Sequence, residues 1–132
     1  MSPAAMGDFI ILLMKHFGLK RAHVVAPDVG TLAFLFAASV RPDLFESLVI
    51  GGGAVRTELA AGQLEDIIHS ASGRNDLIVP VANGQLLAEK LPHNRYVVLD
   101  AGHRAWEEAA SQYTNEVGSW LDGGYRSVEK GQ

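Results

Sequence analysis

Three observations predict that this 132-residue chain is an α/β domain, a parallel sheet of about four strands with helices on both faces. Short β-branched runs alternate along the whole chain with longer stretches of helical pattern. Glycine, proline or aspartate stands at nearly every junction between them. Hydrophobic residues make up 48% and charged residues 20%, the balance of an ordinary globular domain, and no linker or internal repeat divides residues 1–132.

The elements follow in order. Gly7 to Phe17 reads as a buried helix, closed by Gly18. Its run "FIILLM" is too short to span a bilayer and lacks the basic flank of a signal peptide. Ala22 to Ala26, "AHVVA", reads as a strand buried on both faces. Val29 to Val40 is apolar around its circumference, the mark of a helix enclosed by protein, and Arg41-Pro42-Asp43 stops it. Glu46 to Gly51 is the second strand, running into Gly51-Gly52-Gly53. Thr57 to Asp66 reads as a short helix with Gly62 inside it, and Ile67 to Ser72 as a third strand. Asn83 to Leu91 is a helix, Arg95 to Asp100 the fourth strand, and Ala105 to Leu121 a single long helix closed by Gly123-Gly124. The polar tail from Ser127 is expected to fray.

Composition narrows the function. The net charge is −4 and no Lys/Arg cluster occurs, which argues against nucleic acid or an anionic membrane as partner. Without cysteine, disulfides, thiolate metal sites and thiol nucleophiles are excluded, and a cytoplasmic location is compatible. His16, His23, His69 and His93 have no mutual spacing that suits a metal, and His103 with Glu107 offers only two ligands. Gly51-Gly52-Gly53 fits neither phosphate-binding fingerprint and reads as a tight turn. Trp106, Trp120, Tyr96, Tyr113 and Tyr125 fall in segments where packing explains them, and Glu107 and Glu108 suit the positive end of the last helix.

Open parallel sheets bind ligands beyond the carboxyl ends of their strands. Asp28, Asp76 and His103 follow the first, third and fourth strands, so all three belong to one rim. Two carboxylates and an imidazole can form a nucleophile–acid–base set. Each also has a plainer reading. Asp28 could cap the following helix, Asp76 could serve the turn Gly73-Arg74-Asn75-Asp76, and His103 could be a loop residue.

Ala26-Pro27-Asp28-Val29-Gly30 resembles the nucleophile elbow of the α/β-hydrolase fold, in which small residues flank a nucleophile on a sharp strand-to-helix turn. "SGRNDLIVP" (Ser72 to Pro80) resembles the segment that carries the acid of that family's triad, and "LDAGHRAWEE" (Leu99 to Glu108) the segment around its histidine. An aspartate at the elbow is similar to the branch of haloalkane dehalogenases and epoxide hydrolases. The resemblance implies that Asp28 is the nucleophile, His103 the general base and Asp76 the acid that orients it. Val29 would supply an oxyanion N–H. The implied reaction is hydrolysis of a small organic substrate through an alkyl-ester intermediate, with no cofactor.

Against that family pattern the chain is expected to lack the strands before the elbow, the loop carrying the second oxyanion donor, and the cap domain. Val29 also stands where that branch usually has Trp. Slow turnover is then expected, since one oxyanion donor is worth about 3–4 kcal/mol of barrier. No substrate pocket is expected without a cap. The competing expectation is a catalytically inactive remnant that serves as an interaction or oligomerisation module. In either case a four-stranded sheet with a bare edge predicts a homo-oligomer.

Overall fold

A computed structural model of the chain describes residues 2–53 and 68–129. Four strands, β1 (Ala22–Pro27), β2 (Phe45–Gly51), β3 (Ile68–Gly73) and β4 (Asn94–Leu99), form one sheet in the order β1-β2-β3-β4. All three pairings are parallel, as the alternation of strands and helices requires. The helices are α1 (Pro3–His16), α2 (Val29–Val40), α3 (Val81–Lys90), α4 (Ala105–Glu108), α5 (Ala110–Ser119) and α6 (Tyr125–Glu129). The expected helix over residues 57–66 lies outside the described residues.

Side chains alternate across the sheet and divide the core in two. Leu48, Ile50 and Ile68 face α1, α2 and α3, where they meet Met14, Leu35, Ala38 and Leu87. On the opposite face Val49 meets Trp120 and Tyr125, and Ala71 and Leu99 meet Ala105. Helices therefore cover both faces, and β3 is buried at every position.

Four expectations are corrected. α1 starts at Pro3 rather than Gly7, because Ser2 caps it by accepting from the N–H of Ala5 and Pro3 fits the first turn. α1 is not a buried helix either: it rides on the outside of α2, with only a narrow stripe in contact, and Phe9, Leu12 and Leu13 are exposed. Gly7 makes that crossing close, since a Cβ there would lie 3.0 Å from the Ala37 nitrogen. β1 is not buried on both faces: His23 and Val25, which share a face, are exposed, and among the described residues the strand lies at the edge of the sheet. The last helix is broken at Ala109 (φ −121°, ψ 44°), and beyond its expected close at Gly123 (φ 116°) the chain turns helical again, so that Ser127 and Val128 belong to α6 rather than to a frayed tail.

α2 matches its expected bounds but is not enclosed all round: Thr31, Ala33, Leu35, Ala37 and Ala38 are buried, Leu32, Phe34 and Phe36 are half-buried, and Val29 and Val40 are exposed. Its one interior polar side chain within the first turn, Thr31, ties the sheet to the elbow. The Thr31 hydroxyl lies 3.0 Å from the Ala26 carbonyl oxygen and 3.1 Å from that of Gly51, and accepts from the Gly51 N–H at 3.0 Å. The carboxyl ends of β1 and β2 are thus pinned together beneath Asp28.

Candidate active site

β1 turns into α2 at Asp28, the one non-glycine residue with positive φ among the described residues (φ 55°, ψ −127°). A side chain in that conformation costs about 1–3 kcal/mol and persists only where the surroundings impose it. Here the Asp28 N–H donates to the Gly51 carbonyl at 2.8 Å, and the Asp28 carbonyl accepts from the Thr31 N–H at 3.0 Å. Small residues are needed on both sides: a Cβ on Gly30 would lie 3.2 Å from that of Ala26, and one on Gly53 would lie 2.6 Å from the Asp28 carbonyl oxygen. The cap reading of Asp28 fails, because its side chain makes no capping hydrogen bond. The carboxylate is instead about half exposed.

Asp76 lies in the loop after β3, with its side chain 1% exposed. One oxygen, Oδ1, accepts from the N–H groups of Ile78 and Val79, each at 2.8 Å. The other, Oδ2, lies 2.9 Å from Nδ1 of His103. Burial disfavours the charge, but these N–H donors and the imidazole outweigh it, so the carboxyl is held below its ordinary range. The two oxygens of Asp76 are thus divided, one engaged by the N–H groups of its own loop and the other by the imidazole of His103.

His103 follows β4 in the loop before α4. Its Nε2 stands 3.4 Å from Oδ1 of Asp28, so the imidazole bridges the two carboxylates. The hydrogen bond to Asp76 raises the imidazole pKa; partial burial opposes this, and the charges of Asp76 and Asp28 add to it. The ring sits over Gly52, and Trp106 packs against it edge-on at 6.3 Å.

Asp28 and His103 open onto a cleft of about 260 Å³ whose other walls include Met6, Val29, Leu32, Ala33, Ile78 and Val79. An apolar cleft is therefore present where none was expected. Val29, the first residue of α2, has an N–H with no partner inside the helix. Such a constellation can deliver a carboxylate to an electrophile, move a proton through Nε2 and leave an N–H beside the carboxylate that reacts. No group of three or more potential metal ligands occurs among the described residues. No helix among them is long and apolar enough to cross a membrane.

Sequence reasoning passed over two supports of this site. Thr31 was visible as a hydroxyl inside an otherwise apolar helix. Glu108 was read only as an acid suited to a helix start, yet it accepts from the N–H of Gly102 and of Arg104.

No protein-family model matches the chain. A segment of 55 residues is 46% identical to the provisionally named carbamate hydrolase RutD of Caulobacter sp. (strain K31), covering 42% of this chain and 20% of that one. Among solved structures, an enol-lactonase from Burkholderia xenovorans LB400 superposes with a TM-score of 0.85 at 18% identity, over 92% of this chain and 74% of that one. A predicted CIB-like hydrolase from Thermoplasma acidophilum gives 0.83 at 18% identity, over 91% and 59%. A meta-cleavage product hydrolase from Pseudomonas fluorescens IP01 gives 0.81 at 13%, over 92% and 72%. The chain thus spans little more than half of the Thermoplasma protein, and the matched segment is a fifth of RutD. With its parallel sheet, its strained elbow and these superpositions, the chain has the α/β-hydrolase fold.

Proposed function

We propose that the chain carries the active site of a hydrolase for small organic substrates, working through an ester formed on Asp28. The observation that carries this reading is the imidazole of His103 held between two carboxylates, 2.9 Å from Asp76 and 3.4 Å from Asp28, at an apolar cleft. In the first step a carboxylate oxygen of Asp28 bonds to an electrophilic carbon, and the leaving group departs with the electron pair. In the second, Nε2 of His103 takes a proton from water as the water oxygen attacks Cγ of Asp28. The resulting oxyanion is met by the Val29 N–H. As it collapses, the C–O bond to the substrate breaks and the imidazolium returns its proton to the departing oxygen, releasing the product alcohol; Asp28 then loses its carboxyl proton to solvent and is a carboxylate again. Asp76 keeps the imidazole in the tautomer with the proton on Nδ1 and supports the imidazolium.

The test is direct. Incubation with alkyl halides, epoxides and activated esters should place an adduct on the peptide containing Asp28, visible by mass spectrometry. His103→Gln should accumulate it, and Asp28→Asn should abolish it. A broad panel with no adduct in either the native protein or His103→Gln would overturn the reading in favour of an inactive domain.

A second reading concerns assembly and location. Among the described residues β1 pairs on one side only, with Leu13, Phe17, Leu19 and Val25 exposed near its free edge. This supports a homo-oligomer, since unpaired apolar edges recruit partners. A concentration-independent monomer mass by light scattering would refute it. A cytoplasmic location is compatible with the absence of cysteine.

A further inference from the structure

We infer that Glu108 is a positioning residue for His103, fixing the backbone on both sides of the imidazole, an inference that rests on the base role proposed for His103. The Glu108 carboxylate accepts from the Gly102 N–H through Oε2 at 2.8 Å and from the Arg104 N–H through Oε1 at 3.2 Å. These two peptide groups flank His103, so one side chain clamps the residue before it and the residue after it. The clamp is completed by the Glu108 N–H, which donates to the Arg104 carbonyl at 2.9 Å.

An ordinary helix cap accounts for only part of this. Arg104 is the N-cap of α4, and a carboxylate returning to its N–H is a familiar way to close a helix start. The bond to Gly102 lies outside that motif, two residues before the helix cap. A Cβ on Gly102 would lie 2.9 Å from Oε2 and 3.1 Å from Oε1 of Glu108, so the carboxylate sits in space that a larger residue at 102 would make it leave.

The imidazole needs such a mount. His103 must meet Asp76 through Nδ1 and Asp28 through Nε2, and these carboxylates come from other loops of the rim. A shift of about 1 Å in a catalytic group can cost about a hundredfold in rate. Glu107 supplies an internal control: it stands in the same turn and carries the same charge, but it pairs with the exposed Arg104 side chain.

The experiment compares Glu108→Ala, Glu108→Gln and Glu107→Gln by NMR of the His103 ring. Native protein and Glu107→Gln should both show a protected Nδ1 proton and a raised titration midpoint. Glu108→Ala should lose the protected proton, and its midpoint should fall back toward an ordinary imidazole. Glu108→Gln, which keeps one acceptor oxygen, should fall between. Circular dichroism confirms folding, and if Glu108→Ala does not fold, Glu108→Gln carries the comparison. If the Glu108 variants titrate like Glu107→Gln, the carboxylate is a helix cap only and the inference fails. Where turnover is measurable, Glu108→Ala should lower kcat by about 10- to 100-fold with little change in KM. A protein that forms no adduct but shows the ring changes would retain this inference while losing the proposed reaction.

Discussion

Nδ1 of His103 lies 2.9 Å from Oδ2 of Asp76, two residues separated by 27 positions in the chain. The pairing requires β3 and β4 to run parallel, because only then do their following loops leave the same rim, and their adjacency brings those loops within reach of each other. Asp76 uses its second oxygen to hold its own loop, so the orientation of the imidazole and the shape of the loop depend on one side chain.

Asp76→Asn should therefore impair the second step far more than the first. An amide can present its NH₂ group to Nδ1 and favour the wrong tautomer. In a comparable triad such a change costs about 10⁴ in turnover. The expected outcome is a normal rate of adduct formation on Asp28 with ester hydrolysis slowed by a similar factor, read by rapid-quench mass spectrometry. Equal slowing of both steps would count against an orienting role.

The pH dependence has a definite sign. His103 must be neutral to act as base, and its pKa in the free protein is raised, first by the Asp76 hydrogen bond and less by the Asp28 charge. Esterification removes that Asp28 charge. Single-turnover ester hydrolysis should therefore have its acid limb at lower pH than the NMR titration midpoint of His103 in the free protein. Stability follows the same linkage. The His103 contribution is fully present below the ordinary imidazole value of 6.5 and is lost as pH rises through the raised folded value. The Asp76 contribution is present above its ordinary 3.8 and is lost as pH falls through its lowered folded value.

Asp28→Gly should stabilise the fold while abolishing chemistry. Glycine adopts φ 55° without steric penalty, and the Asp28 side chain makes no capping bond that would be lost. A gain of about 1 kcal/mol is expected, measured by urea unfolding. A loss of stability would mean that the ion pair with His103 outweighs the backbone strain.

A second histidine, this one fully buried, should report as an acid-sensitive point. His69 is fully buried on the α5 face, with Nδ1 3.1 Å from the Arg95 carbonyl and Trp120 packed on its ring. Burial lowers its pKa, the Arg95 charge adds to this, and the Arg95 carbonyl and Glu116, 3.4 Å from Nε2, oppose it. Since the unfolded chain takes up the proton first, stability should fall as pH drops below 6.5. Thermal unfolding of His69→Gln should lack that step while keeping the one due to Asp76.

The parallel sheet was legible because short β-branched runs alternate with longer stretches of helical pattern, and the turn at Asp28 was legible because Ala26 and Gly30 leave the room its strained backbone needs. Exposure was less legible. The run "FIILLM" and the strand "AHVVA" read as buried because apolar character alone cannot tell an enclosed element from one at the edge of the described fold. The break at Ala109 was hidden inside a continuous helical pattern, whereas the close at Gly123 was legible; just before it Trp120 seats itself on Val49 and donates to the Ser47 hydroxyl at 2.9 Å.

Residue order alone determined that Asp28, Asp76 and His103 follow strands of one parallel sheet, since strand direction is a local property of alternating elements. How near their atoms come, which oxygen of Asp76 is spent on its loop, and that Glu108 grips the peptides around His103 were decided only by tertiary packing. Distances of 3 Å depend on backbone angles and rotamers that many sequences share, and only the surrounding contacts select among them.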